Sequence, residues 1–385
     1  MLRRVAKQAL DSFRHNTYRT LNTVEIGRER LLHNVRLIQQ QHQDAKVIPV
    51  LKGNAYGHGI AEVANILNGA AIDMLAVDGY FEADRIRHIS RHRILVMGYV
   101  LPENVRLLDA RRCSFVVQDT VVLHALGKLK RRVRVHAELN TGMNRMGLAP
   151  DELDEYLKVL RKYPSLELEG VMTHLADADN EVDALFTDRQ VAIFDEQVSH
   201  IFDAGFTPKI IHIAQTAGSI KVRSRFANAL RLGIGTYGIN PLGPKDAKHL
   251  FLSGLQPVLE LKSTIIKVLE LQKGDTVSYN CTFTAPQPMR VGVLPLGYYE
   301  GVPRALSNHG VCTHGRHSLP IVGRICMDHT MIDLTGTKLG LYDEVTVISN
   351  DPAQPNSIAG MQAAHDLFAY SILTGLSSSV RRDIV

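Results

Sequence analysis

The chain has 385 residues, of which 45% are hydrophobic and 22% are charged, the normal balance of a soluble globular protein. This length exceeds one ordinary core, so we expect two domains, and no apolar run approaches the length that crosses a bilayer. Residues 1–20 contribute +4 of the formal net charge of +5, from five basic residues and one acidic residue. A nucleic-acid binder would spread basic residues over a folded face, so this charge pattern argues against that class.

Residues 1–21 form a basic extension before the first predicted strand. Its basic, acid-poor composition is compatible with a transit peptide, and we favour the alternative of a surface helix. The four cysteines, Cys113, Cys281, Cys312 and Cys326, form no C-x-x-C pair, and nothing indicates an export signal. We therefore expect reduced thiols in a cytoplasmic protein.

Residues 22–245 alternate between short apolar runs and helix-like stretches. The first run covers residues 23–26, and the later ones begin at Val47, Met74, Ile94, Phe115, Val133, Leu168, Ile210 and Ala229. Eight or nine strands that alternate with helices predict parallel strands joined by crossover helices. The number suits an α/β fold of the (β/α)8, TIM-barrel type.

The pattern changes after about residue 245. Residues 258–268 have the partial alternation of a long strand, and shorter apolar runs follow, separated by Gly, Pro, Asn and Asp. Little of this region has helical spacing until about Ser357. Residues 246–385 are therefore predicted to form a second, mostly β domain.

The strongest chemical signal is the string Val-Leu-Lys-Gly-Asn-Ala-Tyr-Gly-His-Gly at residues 50–59. Its lysine, Lys52, follows an early predicted barrel strand and so points into the barrel mouth, where barrel chemistry takes place. A lysine there can form a Schiff base with an aldehyde cofactor. A lone lysine would more often be a solvated loop residue, but the ten-residue string is highly specific.

This string closely resembles the cofactor-lysine signature of the alanine racemase family, and the resemblance recurs in order along residues 22–382. Six further motifs carry it, at residues 140–147, 168–174, 231–238, 277–279, 296–298 and 322–328. Seven ordered matches across two domains make chance agreement negligible. The resemblance implies a pyridoxal-phosphate-dependent enzyme that interconverts L- and D-alanine, and a homodimer with shared active sites.

The resemblance assigns roles to five polar residues. Lys52 resembles the Schiff-base lysine and one acid/base, and Tyr279 resembles the acid/base on the opposite face, supplied by the partner subunit. Arg231 resembles the arginine that meets the pyridine nitrogen, and His174 the histidine that links this arginine to the tyrosine. Arg145 resembles the arginine near the phenolic oxygen of the cofactor and the substrate carboxylate.

Further matches concern the phosphate, the substrate carboxylate and the access corridor. Met327 lies where the partner's backbone meets the substrate carboxylate in this family. The residues that match the phosphate site are Tyr56, Thr216, Gly233 and Ile234. At the position of Thr216 the family often has Ser. The residues that match the access corridor are Tyr298, Arg304 and Arg324.

Elementary chemistry supports a two-base interpretation. Racemisation removes a proton from one face of Cα and returns one to the other, which a single rigid base cannot easily do. Lysine and tyrosine have reference pKa values of about 10, so the cofactor and nearby cations must lower them. Arg231 at the ring nitrogen would keep that nitrogen unprotonated, which weakens the ring as an electron sink and disfavours transamination.

Glu138 lies seven residues before Arg145. Many members of the family carry there a lysine carbamylated by CO₂, whose anion holds the arginine. We interpret Glu138 as a genetically encoded carboxylate that orients Arg145, either directly or through water. The alternative is that Glu138 faces a helix and pairs with an unrelated surface cation.

Several alternatives stay open or are disfavoured. A serine or broader-specificity racemase remains open, because Ser378 aligns where the family has a tyrosine near the substrate side chain. A more remote alternative is a pyridoxal-phosphate carrier, although that family lacks the β domain. Decarboxylases and metal-assisted aldolases of the same plan are disfavoured by Arg231 at the ring. No metal site is expected, since His314 and His317 have no third ligand at a suitable spacing.

Overall fold

The computed structural model describes residues 19–385. Most of the basic extension, with the choice between a transit peptide and a surface helix, therefore lies outside the described residues. The described chain divides into two units: Ile26–Leu259 with Ile384–Val385 form the barrel unit, and residues 19–25 with Glu260–Asp383 form the β unit. No described helix is both long enough and apolar enough to cross a membrane.

The described residues form strands and helices with the following bounds. The strands are β1 (Asn22–Ile26), β2 (Lys46–Pro49), β3 (Met74–Val77), β4 (Arg93–Val96), β5 (Cys113–Val117), β6 (Val133–Glu138), β7 (Leu166–Met172), β8 (Ile210–His212), β9 (Ala229–Leu232), β10 (Leu259–Thr264), β11 (Lys267–Leu271), β12 (Thr276–Val277), β13 (Phe283–Thr284), β14 (Met289–Leu294), β15 (Val311–His314), β16 (His317–Pro320), β17 (Thr330–Asp333), β18 (Glu344–Ile348) and β19 (Arg381–Ile384). The α-helical segments are α1 (Arg28–Gln41), α2 (Lys52–Tyr56), α3 (Ile60–Leu67), α4 (Tyr80–Ile86), α5 (Thr120–Gly127), α6 (Leu153–Lys162), α7 (Leu185–Asp203), α8 (Thr216–Lys221), α9 (Ile358–His365) and α10 (Ala369–Thr374).

Eight parallel strands of the barrel unit pair in the order β2-β9-β8-β7-β6-β5-β4-β3. A bridge between Val50 and Ala76 joins the two ends of this order, and Leu51 N donates to Ala76 O over 2.7 Å, so the sheet closes on itself. Every residue of β3 and β5 is buried, as expected of strands covered on both faces. The predicted (β/α)8 barrel is confirmed. Chemistry in such barrels takes place where the carboxyl ends of the strands meet, at the mouth.

The prediction of a barrel strand at residues 23–26 is wrong. β1 lies between β10 and β19 in a six-stranded sheet of the β unit, and β2 is the first barrel strand. The physical reason is visible in its burial: Val24 and Ile26 are buried while their neighbours are half-exposed, which is typical of a strand with one covered face. A barrel strand would be apolar on both faces.

The barrel unit also extends beyond the predicted limit at residue 245. Residues up to Leu259 stay with it, partly because the side-chain amide of Asn34 in α1 pairs with the backbone of Gln256. Asn34 Nδ2 donates to Gln256 O over 2.9 Å, and Gln256 N donates to Asn34 Oδ1 over 2.8 Å. A polar loop without regular periodicity carries no sign of such an attachment.

The β unit consists of sheets, as predicted, with two short helices near its C-terminus. Its six-stranded sheet has the order β16-β15-β18-β10-β1-β19, a three-stranded sheet has the order β11-β14-β17, and β12 pairs with β13. The long strand predicted at residues 258–268 is two strands, β10 and β11, which belong to different sheets. A hydrophobic cluster of Val277, Val291, Val322 and Met331 packs beside the turn that carries Tyr279.

Candidate active site

Lys52 stands at the mouth, directly after the bridge that closes the barrel. It begins α2, whose backbone is left-handed: φ is 63° at Gly53, 55° at Asn54, 55° at Ala55 and 51° at Tyr56. Left-handed backbone costs about 1–2 kcal/mol for each residue with a Cβ. Three such residues in succession persist only if the surroundings hold them. The lysine is therefore presented by a strained, firmly held turn.

Glu82 of α4 is one group that holds this turn. Its Oε1 accepts from Gly53 N over 2.8 Å and from Asn54 N over 3.4 Å, while its Oε2 accepts from Asp78 N over 2.9 Å. Asn54 Oδ1 in turn accepts from Ile60 N over 3.1 Å. Sequence reasoning missed Glu82, because a glutamate on a charge-rich helix has no distinguishing mark.

Arg231 lies on β9 and is only 3% exposed. Its two terminal nitrogens donate to the backbone oxygens of His212, Thr173 and Ile213 over 2.7–3.1 Å. They also contact two imidazoles, His212 Nδ1 at 2.9 Å and His174 Nδ1 at 3.2 Å. Burial lowers the pKa of Arg231 to about 10, which still leaves it a cation at neutral pH. The guanidinium is thus a fixed, charged donor.

His174 lies near three cations at the barrel mouth. Burial, together with the nearby charges of Arg231, Arg145 and Lys52, lowers the pKa of His174 to about 3. The imidazole is therefore neutral and can accept a hydrogen bond from Arg231. Three of the predicted cationic residues thus lie close enough to act on one histidine.

A candidate anion site is formed by Tyr56, Thr216 and Gly233, which lie close together at the mouth of the barrel. A Cβ added at Gly233 would lie 2.9 Å from Tyr56 Oη and 4.0 Å from Thr216 Oγ1. Thr216 Oγ1 accepts from Gly235 N over 3.2 Å, and Ile234 begins a buried 3-10 turn between them. Two hydroxyls and the backbone N–H groups of a turn surround the space that a side chain at Gly233 would fill. This combination suits an anion such as a phosphate.

Glu138 and Arg145 line one small cleft together with His174. Glu138 ends β6 and is 7% exposed, and its Oε2 accepts from Gln118 Nε2 over 2.9 Å. Arg145 is on an exposed loop and is not among the ion-pair or hydrogen-bond partners of Glu138 in residues 19–385. The alternative of a surface ion pair facing a helix does not apply, because Glu138 is buried against an amide. Sequence reasoning missed Gln118, a polar residue that ends an apolar run.

Tyr279 lies in the β unit, where it is 67% exposed. The backbone on either side is left-handed, with φ 65° at Ser278 and 61° at Asn280. Ser278 Oγ donates to Arg324 O over 2.6 Å and lies 3.3 Å from Cys326 Sγ, which ties the turn to the next segment. The phenol is therefore exposed at the surface of the β unit, on a turn that hydrogen bonds hold in place.

The other predicted residues of the β unit belong to the same surface. Tyr298 N donates to Cys326 O over 3.1 Å, and Tyr299 N donates to Met327 O over 3.0 Å, so these two segments run side by side. Met327 is 53% exposed and Tyr298 is 44% exposed. Arg304, also exposed, begins the 3-10 turn Arg304–Leu306. The β unit thus gathers one set of predicted residues, and the barrel mouth gathers another.

Sequence reasoning also missed His212, whose ring contacts Arg231 from β8. Its only sign is a polar residue within the apolar run Ile-Ile-His-Ile. The histidines considered as metal ligands, His314 and His317, face each other across the β15–β16 hairpin. Within residues 19–385 no three His, Cys, Asp or Glu side chains gather as a metal-binding group.

Comparisons with known proteins show what the chain is similar to. The alanine racemase N-terminal domain family matches residues 26–241, and the alanine racemase C-terminal domain family matches residues 258–384. Alanine racemase of Geobacter sulfurreducens is 32% identical over 372 residues, which cover 93% of this chain and 95% of that protein. Among solved structures, alanine racemase of Bacillus anthracis with bound L-Ala-P has a TM-score of 0.86 at 30% identity, covering 96% of each chain.

One further structure is similar in fold. Alanine racemase of Bartonella henselae, described with covalently bound pyridoxal phosphate, has a TM-score of 0.82 at 21% identity and covers 95% of this chain and 100% of that one. At this identity the likeness speaks for the fold alone. The two domain matches together span most of the chain, and the Geobacter relative is matched over nearly its full length. The chain therefore belongs to the alanine racemase family.

Proposed function

We propose that the protein is a pyridoxal-phosphate-dependent racemase that interconverts L- and D-alanine, with Lys52 and Tyr279 as its two acid/base groups. The observation that carries this proposal is the barrel mouth, where a lysine on a held turn, a fixed cation and a candidate anion site occur together. Each of these three features has a counterpart in the cofactor: an aldehyde, a ring nitrogen and a phosphate.

The residues of the mouth fit the cofactor. The space that a Cβ at Gly233 would fill lies against the hydroxyls of Tyr56 and Thr216, which would hold the phosphate together with backbone N–H groups near Ile234. Lys52 would hold the aldehyde carbon. Both terminal nitrogens of Arg231 are engaged by the protein, which leaves its Nε–H for the ring nitrogen. When bound, pyridoxal phosphate joins the substrate amine and acidifies its Cα–H bond.

The protein groups would then divide the proton transfer between two faces. Lys52 Nζ would remove or return the Cα proton on one face, and Tyr279 Oη would do so on the other. Arg145 would hold the substrate carboxylate beside Lys52, with Glu138 steadying it through water, since no direct contact is made. Arg231, which hardly gives up a proton, would keep the ring nitrogen unprotonated and so favour racemisation over transamination.

We further propose a homodimer in which Tyr279 of one protomer completes the barrel site of its partner. The support is the exposure of Tyr279 and Met327, at 67% and 53%, on a rigidly held surface. Met327 would offer its backbone to the substrate carboxylate, and Tyr298, Arg304 and Arg324 would line the access corridor.

A mixing experiment tests both the dimer and the shared site. Lys52→Ala and Tyr279→Phe subunits are each expected to be inactive alone. If they are dissociated and reassembled together, half of the dimers are mixed and each has one intact site of two, so about a quarter of wild-type activity should return. No recovery despite mixed dimers in native mass spectrometry would mean that the two residues do not meet across an interface.

The activity itself is tested by the formation of D-alanine from L-alanine with added pyridoxal phosphate. Binding of the cofactor without D-alanine would favour the carrier alternative. A serine racemase remains the second candidate because Ser378 is exposed in the turn next to Ser377, whose N donates to Glu300 O over 3.1 Å beside the corridor loop. Rates with L-serine and L-alanine, measured side by side, separate the two substrates.

A further inference from the structure

Four polar side chains form a continuous chain through the interior of the barrel. Glu169 Oε2 lies 3.3 Å from His136 Nε2, His136 Nδ1 lies 2.8 Å from His212 Nε2, and His212 Nδ1 lies 2.9 Å from Arg231 Nη1. The four belong to β7, β6, β8 and β9, and each is at most 5% exposed. The proposed roles in the mouth use only Arg231, so three buried polar groups remain unexplained.

The two ends of this chain have opposite and fixed hydrogen-bonding characters. A guanidinium can only donate, and an ionised carboxylate can only accept. His212 must therefore accept from Arg231 at Nδ1, so its proton is on Nε2 and is donated to His136. His136 then accepts at Nδ1 and donates from Nε2 to Glu169. Only one arrangement of the two neutral imidazoles satisfies all three contacts.

Glu169 is fastened so that it remains an acceptor. Ser114 Oγ donates to its Oε2 over 2.5 Å, Arg93 forms an ion pair with its Oε1, and Arg134 Nε lies 3.8 Å away. Burial acts to raise the pKa of Glu169, but the hydrogen bonds from His136, Ser114 and Arg93 lower it to about 2. Burial has the opposite effect on the imidazoles: it lowers the pKa of His136 and, more strongly, of His212, which keeps both rings neutral.

The backbone makes room for this chain. A Cβ at Gly170 would lie 2.4 Å from His136 Nδ1, a distance at which no side chain fits. The pairing of β6 with β7 also shifts register between Val135 and His136. The neighbours Glu169 and Gly170 thus supply an acceptor for one side of the His136 ring and the space for the ring itself.

We infer that Glu169 is a positioning residue for Arg231: through His136 and His212 it fixes which imidazole nitrogen faces the guanidinium, and so holds the guanidinium in place. The inference rests on the proposed function in that Arg231 serves the cofactor ring. Glu169 touches neither cofactor nor substrate, and its effect reaches the mouth by hydrogen bonds alone.

The first test uses the unaltered holoenzyme. In ¹⁵N NMR of histidine-labelled protein at neutral pH, His136 and His212 should both be neutral with the proton on Nε2. A proton on Nδ1 of either ring, or a charged ring, would overturn the inference. This measurement needs no turnover, so it stands or fails independently of whether the protein racemises alanine.

The second test is Glu169→Gln, compared with Glu167→Gln. Glu167 lies two residues earlier on β7, and Arg134 Nε is 3.9 Å from it, but it does not contact His136. In Glu169→Gln the amide oxygen should turn to Arg93, which cannot accept, so that the amide NH₂ faces His136. Both histidines must then reverse their tautomers, and His212 would present an N–H to Arg231.

The expected results separate the two variants. Glu169→Gln should show proton signals on Nδ1 of His136 and His212, a kcat lower by about 10-fold and more pyruvate per racemisation, since a loosened Arg231 no longer guards the ring nitrogen. Glu167→Gln should match the wild type in all three. Unchanged tautomers and unchanged pyruvate formation in folded Glu169→Gln protein would overturn the inference. If the wild-type protein makes no D-alanine, the proposed function fails, while the tautomer measurements still decide the role of Glu169.

Discussion

The two candidate proton-transfer groups stand on similar backbone in opposite surroundings. Lys52 opens a left-handed turn that continues through Tyr56, and Tyr279 lies between the left-handed residues Ser278 and Asn280. Non-glycine residues in this region cost of order 1–3 kcal/mol each and cluster where a side chain must be aimed. Lys52 is half-buried and the turn after it is held by hydrogen bonds to Glu82, whereas Tyr279 is 67% exposed.

This difference lies in what surrounds each group within its own unit. The barrel mouth holds a fixed cation, because Arg231 is bonded to backbone oxygens and imidazoles, and burial together with this charge lowers the pKa of His174 and keeps it neutral. The Tyr279 turn has rigid geometry without such an environment. In the dimer proposed above, the cations that would help the phenol to release its proton are those of the partner's barrel mouth.

The largest effect should follow from removing the lysine. Lys52→Ala should abolish the absorbance of lysine-linked cofactor and lower racemisation by more than about 1,000-fold, because both attachment and one acid/base are lost. Lys46→Ala is the matched control, since Lys46 begins the strand that precedes Lys52 and pairs with Asp73 at the opposite end of that strand. Retention of the absorbance in Lys52→Ala would show that the barrel mouth does not hold the cofactor as proposed.

Tyr279→Phe tests the exposed half of the comparison. It should leave the cofactor bound and lower kcat by about 100- to 10,000-fold for the enantiomer that depends on the phenol. Exchange of Cα hydrogen with solvent deuterium, started from each enantiomer separately, should become lopsided. Tyr342→Phe, another exposed tyrosine of the β unit, should behave as wild type. Equal exchange from both enantiomers in Tyr279→Phe would refute the two-base division.

The barrel could be predicted from the sequence because its strands are apolar on both faces and alternate with helices. Residues 23–26 stand at the start of the same series, but their Thr-Val-Glu-Ile sequence alternates polar and apolar residues, and β1 pairs with β10 and β19. Which sheet a short strand joins depends on pairing with segments more than 200 residues away, and such pairing leaves no local pattern.

The residues of the candidate site also differ in whether the sequence reveals them. Lys52, Arg231 and Tyr279 could be found because they belong to specific strings. Glu82 and Glu169 could not, because their importance comes from distant backbone and side-chain atoms that the fold brings to them. A hydrogen bond between residues far apart in sequence cannot be recognised from either residue alone.

The candidate anion site offers a prediction of intermediate size. In Gly233→Ala the new Cβ would lie 2.9 Å from Tyr56 Oη, in the space assigned to the phosphate. The dissociation constant of pyridoxal phosphate should rise by about 10- to 100-fold, as expected when charged hydrogen bonds are lost. Gly79→Ala, where a Cβ meets nothing within 4 Å, is the control. Unchanged affinity in Gly233→Ala would place the phosphate elsewhere.

Glu138→Gln should have a smaller effect, on substrate rather than cofactor. A mobile Arg145 should raise the KM for alanine by a few-fold, on the order of 1 kcal/mol, with little change in kcat. Removal of bicarbonate should not alter the wild-type rate, because the carboxylate is part of the chain. Glu155→Gln, on the exposed face of α6, is the control. Unaltered kinetics in Glu138→Gln would rule out its orienting role.

The last expected effect is on stability rather than catalysis and concerns how acid acts on the barrel unit. In the folded protein the pKa of His174 is lowered from 6.5 to about 3. Between these two values the unfolded chain binds a proton at His174 that the folded chain does not bind. Its contribution to the free energy of unfolding therefore decreases as the pH falls from about 6.5 toward 3, by about 2 kcal/mol at pH 5. His174→Gln removes this dependence, so its Tm should fall less than that of the wild type between pH 7 and pH 5. His329→Gln, exposed in the β unit, should keep the wild-type dependence. Parallel Tm curves for His174→Gln and the wild type would mean that burial and the barrel cations do not lower the pKa of His174 in the folded protein.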